Sequence, residues 1–443
     1  MPQHSPALPD DPAAHIALAR AQRAAGDELA ALAHQVAAEA LSAYARSGAA
    51  GELDPLCLVA TGYFMKGEHG PAERWYRLLL RLNPQVAAAH QNLAAIHDAR
   101  GEPALADARR QLAYSLQRVF VEPVEQATRR LLILGAGRAA GNVPMDTLLS
   151  GGRSLRIKYI IDHADPIEDA ALPPFDLVFN AIGDADIAGP LMPRLQGFAQ
   201  ACRQPLLNAP AAVMQTRRDR LGDLLAGLDD VVVAPCHRYE GLPAEAAERD
   251  RRVAALGGAG QAWPLLLRPA ASHGGQGLVR CDEPAALQAA LQRSADAAHY
   301  LSRYIDYRSA DGHWRKARVV FVDREPLPYH LAISPHWMVH YQSADMPGQP
   351  WKLAEEARFL QDPRAALGDR AMDAITAIGR RLDLDYAGVD FSLLPDGRVL
   401  VFEANATMLV HRERPGGPLA HKNPFVDRIA VAFERLLARA GAA

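Results

Sequence analysis

Residues 386–405 read YAGVDFSLLPDGRVLVFEAN. Two apolar runs flank Asp396-Gly397, a dipeptide suited to the left-handed backbone of a tight turn, so the stretch predicts a β-hairpin. With a two-residue loop at that dipeptide, Asp390 falls directly across from Glu403. Side chains alternate along a strand, so Asn405 shares the face of Glu403, while Phe391, Leu393, Leu400 and Phe402 turn to the other, apolar side. Opposed carboxylates repel, and a strand pair holds them readily when a cation lies between them. Two carboxylates and an amide oxygen are hard ligands that leave room for phosphate oxygens and water, which suits Mg²⁺. Asp390, Glu403 and Asn405 are therefore the candidate metal ligands. A solvated hairpin face with two unrelated acids is the plainer reading, and the apolar neighbours weigh against it.

Upstream, PLLLRPAASHGGQGLVR (264–280) sets a strand, a glycine turn and a second strand in succession. Backbone N–H groups around Gly274, Gly275 and Gly277, with Ser272 and His273 beside them, can close over phosphates. Arg268 at the end of its strand adds a permanent charge in a bidentate fork. An ordinary hairpin loop is the simpler alternative. No G-x-x-x-x-G-K-[ST] string occurs, which excludes a P-loop.

Next, YLSRYID (300–306) precedes HWRKARVVFV (313–322). Alternation puts Lys316 and Arg318 on one face, from which both can reach a transferring phosphoryl group. A solvated basic loop would account for Arg315 and Lys316, but less well for Arg318 at the head of an apolar run. His330, in the apolar run 328–333 read as the strand beside Arg318, leads His273, His336, His340 and His411 as a proton-transfer candidate. Residues 334–352, with Trp337, Met346 and Trp351, lack a period and read as a substrate loop or a surface connection.

Taken in order, these parts resemble the ATP-grasp superfamily over residues 129–435. The resemblance implies ATP lying between two antiparallel sheets with Mg²⁺ bridging its phosphates. A substrate carboxylate would attack the γ-phosphoryl group, and an amine or similar nucleophile would capture the acylphosphate. It further implies Asp390, Glu403 and Asn405 as metal ligands and Gly274, Gly275 and Gly277 as the phosphate flap. Arg303, Tyr304 and Ile305 become a hinge beside the nucleotide, Lys316 a phosphate contact, and Arg318 the stabiliser of the transferred group. Arg268 stands where the family usually has Lys, and a second basic residue falls on Arg217 or Arg218. Such chemistry needs no nucleophilic Ser or Cys, in keeping with the lack of any nucleophile elbow or triad string.

Residues 13–118 are rich in Ala and Leu, whereas β-branched and aromatic runs begin at Leu131, so an all-α segment precedes an α/β one. Val59 and Leu93, Tyr63 and His97, Gly67 and Gly101, and Ala72 and Ala106 match at a spacing of 34 residues, the tetratricopeptide period. A third unit over 15–50 can be drawn only loosely. The architecture expected is multidomain: a helical tetratricopeptide-like domain (1–122), an α/β Rossmann-like domain (129–230) and an α+β ATP-grasp domain (231–443), with a linker at 122–130. Stacked repeats offer a concave surface for peptides, so a peptide or protein-borne substrate is expected, and homodimerisation is the plainer use.

Gly135-Ala-Gly137-Arg-Ala-Ala140-Gly141, with Asp162 closing the next strand, is literally a dinucleotide fingerprint. Asn142-Val-Pro144 interrupts the place where the crossover helix should run. A packing loop is thus preferred to an NAD site.

A content of 49% hydrophobic and 22% charged residues excludes a disordered chain. With 48 Lys+Arg against 51 Asp+Glu there is no basic field for nucleic acid or an anionic membrane. Cys57, Cys202, Cys236 and Cys281 form no C-x-x-C pair, so a reducing, cytoplasmic setting is expected. No apolar run nears the roughly 20 residues that span a bilayer. The function expected is ATP- and Mg²⁺-dependent joining of a carboxylate to an amine. The alternatives are a non-catalytic nucleotide-binding or interaction protein, and an NAD-dependent enzyme using 135–162.

Overall fold

The computed structural model describes residues 7–138, 140–240, 251, 253–254, 256, 263–272, 274–293 and 298–442. They fall into two compact units, Met1–Arg118 and Val119–Ala443. In the first, helices Pro12–Ala24, Glu28–Ser47, Asp54–Met65, His69–Leu82, Ala87–Ala99 and Pro103–Leu116 pair as three helical hairpins. Each hairpin turns on a left-handed glycine: Gly26 (φ 82°), Gly67 (φ 76°) and Gly101 (φ 72°). The following residue donates its N–H to a carbonyl in the preceding helix, Asp27 to Gln22, Glu68 to Tyr63 and Glu102 to His97. These bonds satisfy carbonyls that a helix C-terminus would otherwise leave open. The first hairpin shares this turn but not the 34-residue spacing, because its second helix has 20 residues where the next hairpin's has 14. Buried Ala37, Ala60, Ala72 and Ala89 let the helix axes approach, and Trp75 and Tyr76 fill the space between them.

The second unit opens with a sheet of β1 (Val119–Glu122), β2 (Arg129–Gly135), β3 (Ser154–Ile160), β4 (Leu177–Asn180) and β5 (Leu206–Leu207), ordered β1-β3-β2-β4-β5. β2 to β5 run parallel, and β1 is an antiparallel edge beside β3. The boundary expected after Glu122 therefore lies earlier: Val119–Glu122 already belongs to the sheet, and 123–128 is a connection within it. β6 (Val231–Val233) joins a later sheet. β7 (Cys236–Tyr239), β8 (Leu265–Pro269), β9 (Val279–Cys281) and β10 (His299–Arg303) form an antiparallel sheet ordered β7-β10-β8-β9. β11 (Trp314–Val322), β12 (Glu325–Ser334), β13 (Tyr386–Leu393) and β14 (Val399–Asn405) form the last, ordered β12-β11-β13-β14-β6.

Helix Asn423–Ala440 ties this last sheet to the first. Its buried Phe433 meets Phe179 of β4 edge-on at 5.3 Å and Tyr386 of β13 at 5.8 Å. Helix Asp369–Leu382 covers the last sheet with Met372, Ile375 and Ile378. Among the described residues no helix is long and apolar enough to cross a membrane.

Gly379 shows how closely that helix lies. A β-carbon there would stand 2.5 Å from the Phe321 ring and 2.6 Å from the Arg324 carbonyl oxygen. Gly379→Ala should therefore destabilise the second unit by about 1–3 kcal/mol through overpacking. Gly222→Ala, with open space at its β-carbon, should leave the midpoint of thermal unfolding, followed by circular dichroism, unchanged or raised.

Candidate active site

The hairpin forms, but not with the loop its sequence suggests. Leu394 donates its N–H to the Arg398 carbonyl (2.9 Å) and Gly397 donates to Leu394 (2.8 Å), so three residues, 395–397, make the turn, with Gly397 at φ 84°. That shifts the register by one, and Phe391 pairs with Val401. An irregularity between Asp390 and Phe391 then leaves Phe402 as the extra residue of a β-bulge, and Asp390 faces Glu403 after all. The bulge also corrects the expected facing of Phe402. Instead of sharing the apolar back, it lines the pocket and packs on Tyr307 at 4.8 Å.

On its other side Asp390 pairs with Arg318 of β11, which pairs with His330 of β12. His330, Arg318, Asp390 and Glu403 thus form one row across four strands. Basic side chains surround the two acids. Asp390, 1% exposed, accepts from Arg318 Nε (2.5 Å) and a second Arg318 nitrogen (2.9 Å), and from Lys316 Nζ (3.0 Å). Glu403 accepts from Arg218, with an Arg268 nitrogen 3.6 Å away. Burial would raise both carboxyls; Arg318 and Lys316 outweigh it at Asp390 and hold that group well below the usual range. Arg218 and Arg268 do the same for Glu403, held down to about 2. Of the two basic residues considered after Met214, Arg218 joins the site, whereas Arg217 pairs with Asp219 at 2.6 Å.

These groups line a pocket of about 220 Å³ between the two antiparallel sheets. Among the described residues, five basic side chains (Arg218, Arg268, Arg303, Lys316 and Arg318) line it against two acids, Asp390 and Glu403. Its other walls are apolar and aromatic, with Tyr304 and Trp337 edge to face at 5.7 Å and Ile305, Leu278 and Val339 nearby. The glycine turn roofs it. Gly274, Gly275 and Gly277 are left-handed (φ 60°, 75° and 71°), and a β-carbon on Gly275 would come within 2.3 Å of His340 Nε2. Arg268 also holds the start of the turn, donating to Ser272 Oγ (3.0 Å) and to the Ser272 carbonyl (2.5 Å). Ser272 gives its own proton to Pro269 O (2.7 Å), so its hydroxyl is spent on the turn. His273 lies outside the described residues.

Asn405 pairs with Gly388 and sits beside Glu403 in a shallow hollow that also holds Asp184 and Asp186. Its Oδ1 accepts from Thr407 N (2.9 Å) and Oγ1 (3.0 Å). Among the described residues no three His, Cys, Asp or Glu side chains form a metal cluster. Asp390 and Glu403 line the main pocket, whereas Asn405 lines only the adjoining hollow, which it shares with Glu403. Mg²⁺ typically takes one or two protein carboxylates and completes its shell with phosphates and water, and that chemistry fits the donors present.

His330 is 7% exposed, and its Nε2 has no hydrogen-bond partner among the described residues. Burial and then Arg318 push its pKa well below the usual value, so the ring is neutral. Behind it lies a polar group that sequence reasoning missed. Tyr341 stacks on His330 at 5.0 Å and donates to Glu356 Oε2 (2.9 Å), which also lies 3.0 Å from His421 Nε2. Lys422 Nζ sits 4.2 Å over the Tyr341 ring and 2.7 Å from Glu413. No sequence spacing links these residues; only the fold of 334–361 and 406–422 brings them together.

The fingerprint loop near 135 uses its donors internally. Gly137 N–H reaches both Asp162 oxygens (2.9 and 3.0 Å), and Ala136 N–H reaches Asn142 Oδ1 (2.9 Å). Asp162 thus caps the loop.

No family model matches the chain, and no curated protein matches it. Among solved structures it is similar to D-alanine–D-alanine ligase from Bacillus anthracis complexed with ATP, at 14% identity, covering 70% of this chain and 99% of that one, with a TM-score of 0.40. It is similar to an ADP complex of N5-carboxyaminoimidazole ribonucleotide synthetase at 12% identity, covering 66% and 72%, with a TM-score of 0.44. It is also similar to the ATP-grasp ligase PsnB complexed with minimal precursor, Mg and ADP, at 14% identity, covering 69% and 98%, with a TM-score of 0.37.

Because Glu403 titrates lower in the fold than in the free chain, it favours the fold at neutral pH and ceases to as pH falls from about 5 towards 2. Urea midpoints of the wild type and Glu403→Gln should thus differ most at pH 7, and the gap should narrow steadily below about pH 5.

Proposed function

We propose that the chain is an ATP- and Mg²⁺-dependent ligase of the ATP-grasp type that joins a carboxylate to an amine. The observation that carries this reading is the pocket's polarity. Arg218, Arg268, Lys316 and Arg318 gather around an in-register carboxylate pair, aromatic and apolar side chains make the other walls, and a left-handed glycine turn lies above. A nucleoside triphosphate has the matching form, an apolar base and a polyanionic tail. Asp390, Glu403 and Asn405 are the residues that would hold Mg²⁺, which when bound offsets charge on phosphate oxygens.

Arg218, Arg268 and Lys316 hold phosphate oxygens. Arg318 stands in the row where negative charge builds as the substrate carboxylate oxygen bonds to the γ-phosphorus and the bond to ADP breaks. The amine nitrogen then attacks the acyl carbon and phosphate leaves. His330, beside Arg318 in the row but outside the pocket lining, is the group this reading assigns to take the proton shed by the amine. The first α/β sheet is Rossmann-like in this reading, and the three hairpins with their shared turn are tetratricopeptide-like, receiving a peptide or protein-borne substrate. A cytoplasmic setting accords with four free cysteines. The internal capping by Asp162 favours this reading over the NAD enzyme.

The test is ADP release from Mg²⁺-ATP against a panel of carboxylates paired with amines, and with candidate peptides. Release that needs the carboxylate supports the ligase. ATP binding without turnover for every pair moves the assignment to a nucleotide-binding interaction protein. Arg318→Lys, which keeps the charge but loses the fork, should lower kcat by about 10²-fold with little change in the KM for ATP.

His330→Gln separates the two steps. Amide formation should slow by about 10²-fold or more, while ADP release with hydroxylamine, which traps acylphosphates directly, should stay near the wild-type rate. Equal loss in both assays would remove His330 from the proton transfer.

A further inference from the structure

Strands β11 and β13 have two faces, and the one away from Asp390 also borders a cavity. It measures about 850 Å³, against about 220 Å³ for the pocket above Asp390, and falls in the range of small-molecule sites. Its apolar wall is Leu367, Leu393 and Leu394, all half-buried, backed by the fully buried Phe391, which pairs with Ala317 across β11 and β13. Ala317 alternates with Lys316 and Arg318 along β11, so the two sites lie back to back on one strand.

The rim is charged, and its charges are unequally used. Arg315 is held by Asp311 (2.8 Å) and Glu355 (2.6 Å), which occupies Glu355. Asp362 accepts the N–H of Ala365 (2.9 Å) at the start of helix Pro363–Leu367. Arg308 lies 5.4 Å over the Trp314 ring. Neither Arg308 nor Arg358, both exposed and both on the rim, has a carboxylate partner among the described residues. Two guanidiniums without carboxylate partners beside an apolar wall call for one anionic head on a hydrophobic stem. The five basic groups of the nucleotide pocket, by contrast, suit a polyanion. A guanidinium fork matches a carboxylate in two parallel hydrogen bonds.

From this juxtaposition we propose that the cavity is a second binding site, for a small organic carboxylate with an aliphatic or aromatic stem, bound by Arg308 and Arg358 with its stem on Leu367, Leu393 and Leu394. The site stands independently of the nucleotide assignment.

Octanoate, octylammonium and 1-octanol are the probes, titrated calorimetrically into the full-length protein. Octanoate should bind the wild type, octylammonium should not, and 1-octanol should bind at least about 5-fold more weakly than octanoate. Arg308→Ala and Arg358→Ala should each weaken octanoate by about 5- to 10-fold. Ala366→Trp, which places a large ring at an exposed position lining the mouth, should abolish binding while the unfolding temperature stays unchanged. No octanoate binding, equal binding of octylammonium or 1-octanol, or undiminished binding in a folded Ala366→Trp would each overturn the proposal. If Ala366→Trp fails to fold, the two arginine variants decide.

Discussion

Two carboxylates buried side by side on adjacent strands repel strongly where water is scarce, and the second unit is arranged around relieving that strain. The four basic side chains that do so come from distant places: Arg218 from the connection after the first sheet, Arg268 from β8, and Lys316 and Arg318 from β11. Burying Asp390 and Glu403 therefore requires three stretches of chain to converge. Such a network contributes less to net stability than its distances suggest, because each charge loses hydration. It instead fixes where the segments meet.

The same convergence leaves more positive than negative charge around the acid pair, with aromatic and apolar side chains on the other walls of the pocket. Helix Asn423–Ala440 and the ring contacts of Phe433 hold the first and last sheets together, while Arg268 reaches across from the middle sheet. The glycine turn lies against His340, so the roof and the 337–340 segment meet over the space they enclose.

Much of this could be read in the sequence because it is local. Asp396-Gly397 marks the hairpin, alternation puts Lys316 and Arg318 on one face, and Gly274, Gly275 and Gly277 mark a tight turn. The rest depends on distance in sequence. Nothing beside Arg218 distinguishes it from Arg217; only the approach of β14 does. The expected facing of Asp390 and Glu403 is met through two offsetting departures, a longer turn and a bulge, and the departures that are not offset show at Phe402 and at Leu400, which pairs with Ser392 and lines the pocket. The first helical hairpin escaped the 34-residue match because one helix is longer, although its turn is the same. The fingerprint at Gly135 deceives because its carboxylate and Asn142 close the loop on itself. The Glu356, Tyr341, His421 and Lys422 group had no signal at all, since its members come from two segments far apart in the chain.

The bulge at Phe402 also separates two mechanical requirements. Pairing from Asp390 towards Asn405 keeps one register and pairing towards the turn keeps another, so the tip of the hairpin is a step removed from the acids that matter. An added or lost residue at 395–397 can be absorbed by the outer ladder before it reaches Asp390. The tip is consequently a tolerant place to graft a reporter or affinity tag, whereas one residue gained or lost at 403–405 would rotate the acid row out of alignment.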